Sequence, residues 1–301
     1  MGLDFSVTIC SWNTLRDTRR CLLALQEAEG EANFETIVVD NNSQDGSPEM
    51  IESEFPGVKL IRSDINLGFT GGHNLAMKSR LGKDAFLLNS DAFIHSGTLS
   101  TLLEYRKANL DAGILGPKLL NEDGSLQLSC RKFPNPIAAI FRSTFLGKWF
   151  PKNRYSREYL MSDWGHDSIQ KVDWLSGAAF YVTEETINKV GMFDESFFMY
   201  CEDVDLCFRA WESGFEVVYV PSAVVTHKIG TSSSKVVNKM IVRFHKSMFH
   251  FYEKHMISKK PLVLRPFILV LAALCLSVRA ALFILKNWID YCLKYLKIGT
   301  K

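Results

Sequence analysis

Residues 36–39, Thr-Ile-Val-Val, form an unbroken β-branched run that stops abruptly at Asp40. A strand that is apolar on both sides has to be covered on both faces, as in a parallel sheet sandwiched by helices. The same device recurs. Apolar runs at residues 5–10, 58–61, 85–88 and 113–115 alternate with helical patterns at 18–29 and after Glu49. Such alternation predicts an α/β fold with a mostly parallel sheet flanked by helices. Order continues at residues 172–182, in a helix at 184–189 and in a strand at 216–220 that Pro221 is expected to close, before Val224-Val225-Thr226-His227.

In an open α/β sheet, ligands bind beyond the carboxyl ends of the strands. Asp40 ends the second strand, where a carboxylate can accept a hydrogen bond from a base or ribose. Asn89 and Asp91 end the fourth and, two residues apart in an extended stretch, point the same way. A carboxylate there suits a divalent ion that also holds a diphosphate, since hard cations prefer oxygen. One Asp is a weak site. His227, in a polar run past an apolar strand, is the candidate second ligand, the competing reading being a core histidine.

The segment from Phe193 to Arg209 interleaves four acids with aromatics, and Glu202 and Asp203 precede a helical pattern that Gly214 ends. Acids at that position cap a helix. Capping needs only one of them, so a catalytic carboxylate is the sharper reading. Asn66-Leu67-Gly68-Phe69-Thr70-Gly71-Gly72-His73-Asn74 is a glycine-rich loop entering a helix, a place where backbone can approach phosphate. It matches neither the dinucleotide nor the Walker pattern, which weighs against hydride transfer and NTP hydrolysis. Trp174, followed by Leu175-Ser176-Gly177-Ala178-Ala179, is either a platform for a sugar ring or a core residue.

In this order these pieces resemble the inverting glycosyltransferases of family 2, and most closely their bacterial rhamnosyltransferase-like members. The likeness is carried by residues 7–13, 38–43, 66–74, 87–91 and 191–209 and by His227-Lys228-Ile229-Gly230, which together span about residues 5 to 235. It implies a GT-A-type sheet and a nucleotide-sugar donor, with rhamnose from dTDP-rhamnose expected and another hexose as the alternative. It also implies that Asp203 is the catalytic base, that Glu202 positions acceptor or base, and that Asp91 and His227 hold a divalent metal, magnesium or manganese. Asp40, Asn42, Asn66, Gly71, Asn74, Asn89 and Trp174 are then expected on the donor side. Asn89 replaces the first acid of the family's D-x-D element, so the site carries one charge fewer. Asp205 and Arg209, four apart on one helix, are expected to form a structural pair.

A chain of 301 residues holds one large α/β domain or two smaller ones. We expect a glycosyltransferase domain over residues 1–250, its nucleotide half ending near 118, and membrane-associating helices over 251–301. Residues 266–278 are apolar but shorter than the roughly 20 residues that span a bilayer. Arg265, Arg279, Lys286, Asp290, Lys294 and Lys297 fall on one helical stripe, which favours helices lying in the interface at the cytoplasmic face. Between residues 121 and 171, basic residues mix with Phe133, Phe141, Phe145, Trp149, Phe150 and Tyr155, either a lipid- or phosphate-binding insert or a solvated loop. A membrane surface and a glycan or polyprenyl-linked acceptor are the expected partners. A net charge of +2 is too small to suggest a nucleic-acid binder, and no nucleic-acid partner is expected. Seven scattered cysteines without a C-x-x-C pair indicate neither zinc nor a disulfide framework and fit a reducing compartment, and the opening residues, lacking a basic-then-apolar pattern, are not expected to act as a signal peptide. A non-catalytic scaffold and a nucleotidyltransferase are the competing classes. The first needs none of Asp91, Asp203 and His227. The second needs a basic glycine-rich loop near the start, where Ser11-Trp12-Asn13-Thr14-Leu15 has no glycine.

Overall fold

The computed structural model describes residues 2–135, 138, 149–228 and 237–298, with side chains described through residue 289. Phe141, Arg142, Phe145 and Lys148 of the basic-aromatic stretch lie outside the described residues. The chain forms two compact units, residues 1–198 with 202–232, and residues 199–201 with 233–301. The division assigns residues 233–250 to the second unit, earlier than the boundary expected at 250.

The first unit opens β1 (Phe5–Ser11), α1 (Leu15–Glu27), β2 (Phe34–Asp40), α2 (Ser47–Glu54), β3 (Lys59–Arg62), α3 (Gly68–Lys78) and β4 (Asp84–Asn89). The expected strands are present. α1 begins three residues earlier than its periodicity suggests, because Leu15 N–H donates to Asp45 Oδ2 at 2.9 Å. That cap comes from a turn distant in sequence, so no local pattern announces it. β5 (Ala92–Ile94), α4 (Thr98–Ala108), β6 (Ala112–Leu120), β7 (Leu126–Gln127), β8 (Cys130–Arg131), α5 (Arg154–Leu160), β9 (Gln170–Lys171), β10 (Trp174–Leu175) and β11 (Ala179–Val182) follow. α6 (Glu184–Val190), capped by the Thr183 side chain, α7 (Glu202–Glu212) and β12 (Glu216–His227) complete the unit.

Ten strands make one sheet, in the order β3-β2-β1-β4-β11-β6-β12-β5, with β7 added to β6 and β9 to β12. β2 and β3, β1 and β2, β1 and β4, and β6 and β12 pair in parallel; β11 runs antiparallel to both β4 and β6. Side chains alternate across the pleat. Phe86 and Leu88 join one core with Phe5, Ile9, Leu22 and Ile51, while Ala85 and Leu87 join the other with Met77, Phe180, Leu206 and Ala210. Pro221 does not close a strand. β12 runs through it, and the register shifts between Val220 and Val224, an irregularity that accommodates a residue without an N–H.

In the second unit, α8 (Val237–Tyr252), a π-helical turn (Glu253–Ile257) and α9 (Arg265–Ile298) follow in order. α9 is one continuous helix of 34 residues, so the apolar run at 266–278 does not mark its limits. Its stretch Arg265–Ile289 is long and apolar enough to cross a membrane. The charged stripe turns inward at Arg279, and Asn287, outside the stripe, also meets α8. Arg279 Nη1 lies 3.5 Å from Met248 Sδ with its guanidinium over the Phe244 and Phe283 rings, and Asn287 Nδ2 donates to Asn238 Oδ1 at 2.9 Å. The opposite face is open, with Phe267 72%, Leu274 60% and Trp288 62% exposed.

Gly82 tests the packing of the first unit. A Cβ there would lie 2.2 Å from the Phe5 carbonyl carbon and 2.5 Å from Ser6 N. Because the obstacle is backbone, Gly82→Ala is expected to lower stability by roughly 1–3 kcal/mol in chemical denaturation.

Candidate active site

Strand register brings the polar ends together. Asp40 of β2 lies opposite Ser11 of β1, and Cys10 lies opposite Asn89 of β4. Neighbouring strands are about 4.8 Å apart, so these residues share one rim of the sheet. β11 then enters beside β4 from this same rim because it runs the other way. Asn89 N–H donates to Ala178 O at 2.9 Å, and Gly177 N–H donates to Asp203 Oδ2 at 3.0 Å. A short bonded path thus connects Asp203 with Asn89.

β12 supplies the remaining polar group. Its last residue, His227, lies opposite Ala92 of β5, and Lys228 N–H donates to Asp91 O at 3.0 Å. Nε2 of His227 is 3.4 Å from Asp91 Oδ1 and 3.4 Å from Asn89 Nδ2, while its Nδ1 lies 2.8 Å from Gln127 Oε1. The histidine is therefore held among polar partners, not sealed in an apolar core. Asp91 and His227 offer one carboxylate oxygen and one imidazole nitrogen. No cluster of three or more His, Cys, Asp or Glu side chains suited to a metal occurs among the described residues. Two protein donors nonetheless fit a hard cation whose other positions are taken by substrate phosphates and water.

Glu202 and Asp203 both lie in the first turn of α7. The helix is entered through Tyr200 and Cys201, whose φ values of 72° and 65° are unusual for residues with side chains. Asp203 is partly exposed, whereas Glu202 is buried and its Oε2 has no hydrogen-bond partner among the described residues. Desolvation pushes the Asp203 carboxyl upward, against the Gly177 and Val204 N–H bonds and the Arg131 charge that pull it down. Desolvation raises Glu202 further above the usual carboxylate range, and repulsion from Asp203 adds to it. Asp205 pairs with Arg209 at 2.7 Å as expected, and Arg209 also donates to Val190 O and Met192 O.

The donor-side candidates divide. Asp40 is 2% exposed; Oδ2 accepts from Ser43 N–H, and Oδ1 is buried with no partner among the described residues. Asn42 ties two neighbouring loops together, donating to Asp64 O after β3 and accepting from Gln44 in its own loop. Asn66 Oδ1 accepts from Gly68 N–H. Asn74 uses both ends of its amide on the Phe193 backbone and also donates to Glu195, so it ties α3 to the acidic segment. A Cβ at Gly68 would meet Phe198 O at 2.4 Å, and one at Gly72 would meet Cys10 Sγ at 2.4 Å. These two glycines admit neighbouring protein atoms, where phosphate was expected. Gly71 meets only Leu67 within its own turn. Trp174 is partly buried, donates to Lys132 O and lies beneath the Arg131 guanidinium.

Sequence reasoning passed over three contributors. The Gly177 N–H holds the Asp203 carboxylate; Lys228, paired with Asp17 at 3.1 Å, follows the histidine directly; and Gln127 holds the imidazole from behind. Only Lys228 had a signal in the sequence, its place beside His227. Backbone donors and a glutamine in a two-residue strand carry none.

A GT-A-type sheet with its polar rim defines a transferase that acts on a nucleotide-sugar donor. The chain belongs to the glycosyltransferase-like family 2, whose model matches residues 3–243. It is therefore an inverting glycosyltransferase, and its relatives include rhamnosyltransferases. It is 32% identical over 226 residues to an N-acetylglucosaminyl-diphospho-decaprenol L-rhamnosyltransferase of Mycobacterium tuberculosis, covering 71% of this chain and 73% of that one. It is 29% identical to rhamnosyltransferase WbbL of Escherichia coli K12, covering 71% of this chain and 81% of that one. Among solved structures, a Pyrobaculum calidifontis mannosyltransferase in complex with GDP-Man and Mn2+ superposes with a TM-score of 0.58 at 16% identity, covering 100% of this chain and 80% of that one, which shows the shared fold.

Glu202 generates a pH-dependent prediction. A carboxyl raised in the folded state binds its proton more tightly there than in the unfolded chain. Stability is therefore lost as pH rises from the unfolded value toward the folded one. Glu202→Gln removes that loss, so the variant's gain in Tm over the parent is expected to grow between pH 4 and pH 8. A constant or shrinking difference in thermal unfolding would count against a buried, protonated Glu202.

Proposed function

We propose that the enzyme transfers rhamnose from dTDP-rhamnose to a lipid-linked glycan acceptor during cell-surface polysaccharide synthesis. The donor and acceptor classes are supported by the names of the relatives above. The observation that carries the chemistry is the convergence of Asp91 and His227 at 3.4 Å on the rim that also holds the partly exposed Asp203.

Asp203 accepts the acceptor hydroxyl's proton as the new C1–O bond forms and the bond from C1 to the donor diphosphate breaks, with inversion at C1. Its carboxylate is held by the N–H groups of Gly177 and Val204. Desolvation raises its proton affinity above that of a surface aspartate, which makes it a better base. Glu202, whose proton affinity burial raises further, lies beside it and positions base or acceptor. Asp91 and His227 would hold a divalent cation, magnesium or manganese, which when bound supplies positive charge toward the departing diphosphate. Asp40 Oδ1, buried without a partner among the described residues, offers an acceptor to the nucleoside, with Asn66, Gly71 and Asn89 along the same side. Trp174 flanks the sugar.

The membrane is proposed as the second partner, through the open apolar face of α9 lying in the interface at the cytoplasmic side. α8 packs on the opposite face and exposes Lys239 and Lys246. A spanning α9 with α8 still attached would carry them into hydrocarbon at roughly 2.5–3.5 kcal/mol each. The basic-aromatic residues Trp149, Phe150 and Tyr155, all exposed, supply further lipid-facing groups.

Asp203→Asn is expected to lower kcat by roughly 10²–10⁴-fold with donor affinity nearly unchanged, read as nucleoside diphosphate release and donor titration calorimetry. Near-normal turnover would remove Asp203 from the base role; a donor panel run alongside tests rhamnose against other hexoses. Alkaline carbonate is expected to release the full chain from membranes. Retention in the pellet would instead identify α9 as a spanning helix.

A further inference from the structure

We infer that Gln127 is the positioning residue that fixes the tautomer of His227, leaving Nε2 unprotonated and aimed at Asp91. The inference rests on the metal-site reading of Asp91 and His227 and assigns a new residue to that site.

A hydrogen-bond chain whose two ends are unambiguous acceptors fixes the orientation of the Gln127 amide. At one end Ser125 Oγ–H donates to the Asp123 carboxylate. The Ser125 oxygen therefore accepts from Asn121 Nδ2 at 2.9 Å. Asn121 must then present Oδ1 to Gln127, whose Nε2 donates to it at 2.9 Å. At the other end Gln127 Nε2 donates to the backbone carbonyl of His227 at 3.1 Å, and a carbonyl can only accept. Both amide protons of Gln127 are thus committed. Its Oε1, 2.8 Å from His227 Nδ1, can only accept, so Nδ1 carries the proton. A flipped amide would set oxygen against oxygen at both Asn121 and His227.

Asn89 agrees from the other side. Its Nδ2, 3.4 Å from Nε2, is a donor facing a lone pair. The Nε2 lone pair also faces Asp91 Oδ1 at 3.4 Å, and two lone pairs at that separation are stabilised by a shared cation. Hydrogen bonding to the far nitrogen is how metal-binding histidines are usually oriented. Free imidazole favours the proton on Nε2, so without Gln127 the ring would present N–H, not a lone pair, to the site.

Two-bond proton–nitrogen correlation spectra of the metal-free full chain at pH 8, with nitrogen-labelled histidine and His227 assigned by loss in His227→Gln, read the tautomer directly. The Nδ1-protonated pattern is expected; an Nε2-protonated or doubly protonated ring overturns the inference. Gln127→Met, unbranched and of similar length but unable to accept, is expected to switch the ring to the Nε2-protonated form and raise the Mn2+ Kd by about 10–100-fold in paramagnetic resonance titration. Gln127→Glu keeps an acceptor facing Nδ1 and is expected to retain the parent tautomer, at a cost in thermal stability because its second oxygen meets Asn121 Oδ1 and the His227 carbonyl. An unchanged ring in Gln127→Met overturns the assignment. The metal reading fails separately: parent Mn2+ affinity unaffected by Asp91→Asn removes the cation from this site, while the tautomer spectra still decide the role of Gln127.

Discussion

The site depends on the direction of one short strand. β11 lies between β4 and β6 and is antiparallel to both, so its beginning, not its end, meets the carboxyl end of β4. The two residues before it, Gly177 and Ala178, therefore reach the rim where Asn89 ends its strand. The Asn89 N–H to Ala178 O bond fixes that meeting, and the Gly177 N–H to Asp203 Oδ2 bond carries it on to α7. A parallel β11 would have put the same residues at the far edge of the sheet. Asp203 would then have been left without its backbone donor and without neighbours from the first half of the chain.

At this junction burial and charge act against each other. Glu202 and Asp203 share the first turn of α7, entered through two consecutive left-handed residues, Tyr200 and Cys201. Left-handed conformations disfavour a residue with a Cβ by roughly 1–2 kcal/mol each. Desolvation penalises both carboxylates, while the Gly177 and Val204 N–H groups and Arg131 favour the charged form of Asp203, and repulsion from Asp203 further disfavours that of Glu202. The result raises the proton affinity of both acids, and that of Glu202 further than that of Asp203. Divergent proton affinities of neighbouring carboxyls are the pattern by which acid–base roles are assigned in other enzymes.

The second unit turns a sequence pattern inside out. The stripe of charged residues on α9 reads as a surface that faces headgroups, yet its Arg279 is seated against α8, as is the neighbouring Asn287. An arginine stem packs well against aromatic rings, and its charge is met by the faces of Phe244 and Phe283. The apolar face is consequently the free one. Periodicity located the two faces correctly but had no information on which of them a neighbouring helix would cover.

Much of the first unit was legible because its elements are locally determined. Unbroken β-branched runs, caps such as Thr183, and polar stops at Asp40 and Asn89 all act within a few residues, so strands and rim acids could be read in order. Individual roles were less legible wherever a side chain's partner lies far along the chain. Asn74 became a tie to Phe193, Gly68 and Gly72 admit Phe198 and Cys10, Pro221 sits within a strand, and α1 takes its cap from Asp45. The sequence alone determined which residues can do chemistry, because carboxylate, imidazole and amide are fixed by residue type, and where the strands with polar stops at Asp40 and Asn89 end. Only the tertiary structure decided which of them meet, because strand direction and register set distances across the sheet, and a hydrogen bond such as that between His227 and Gln127 exists only once those distances are closed.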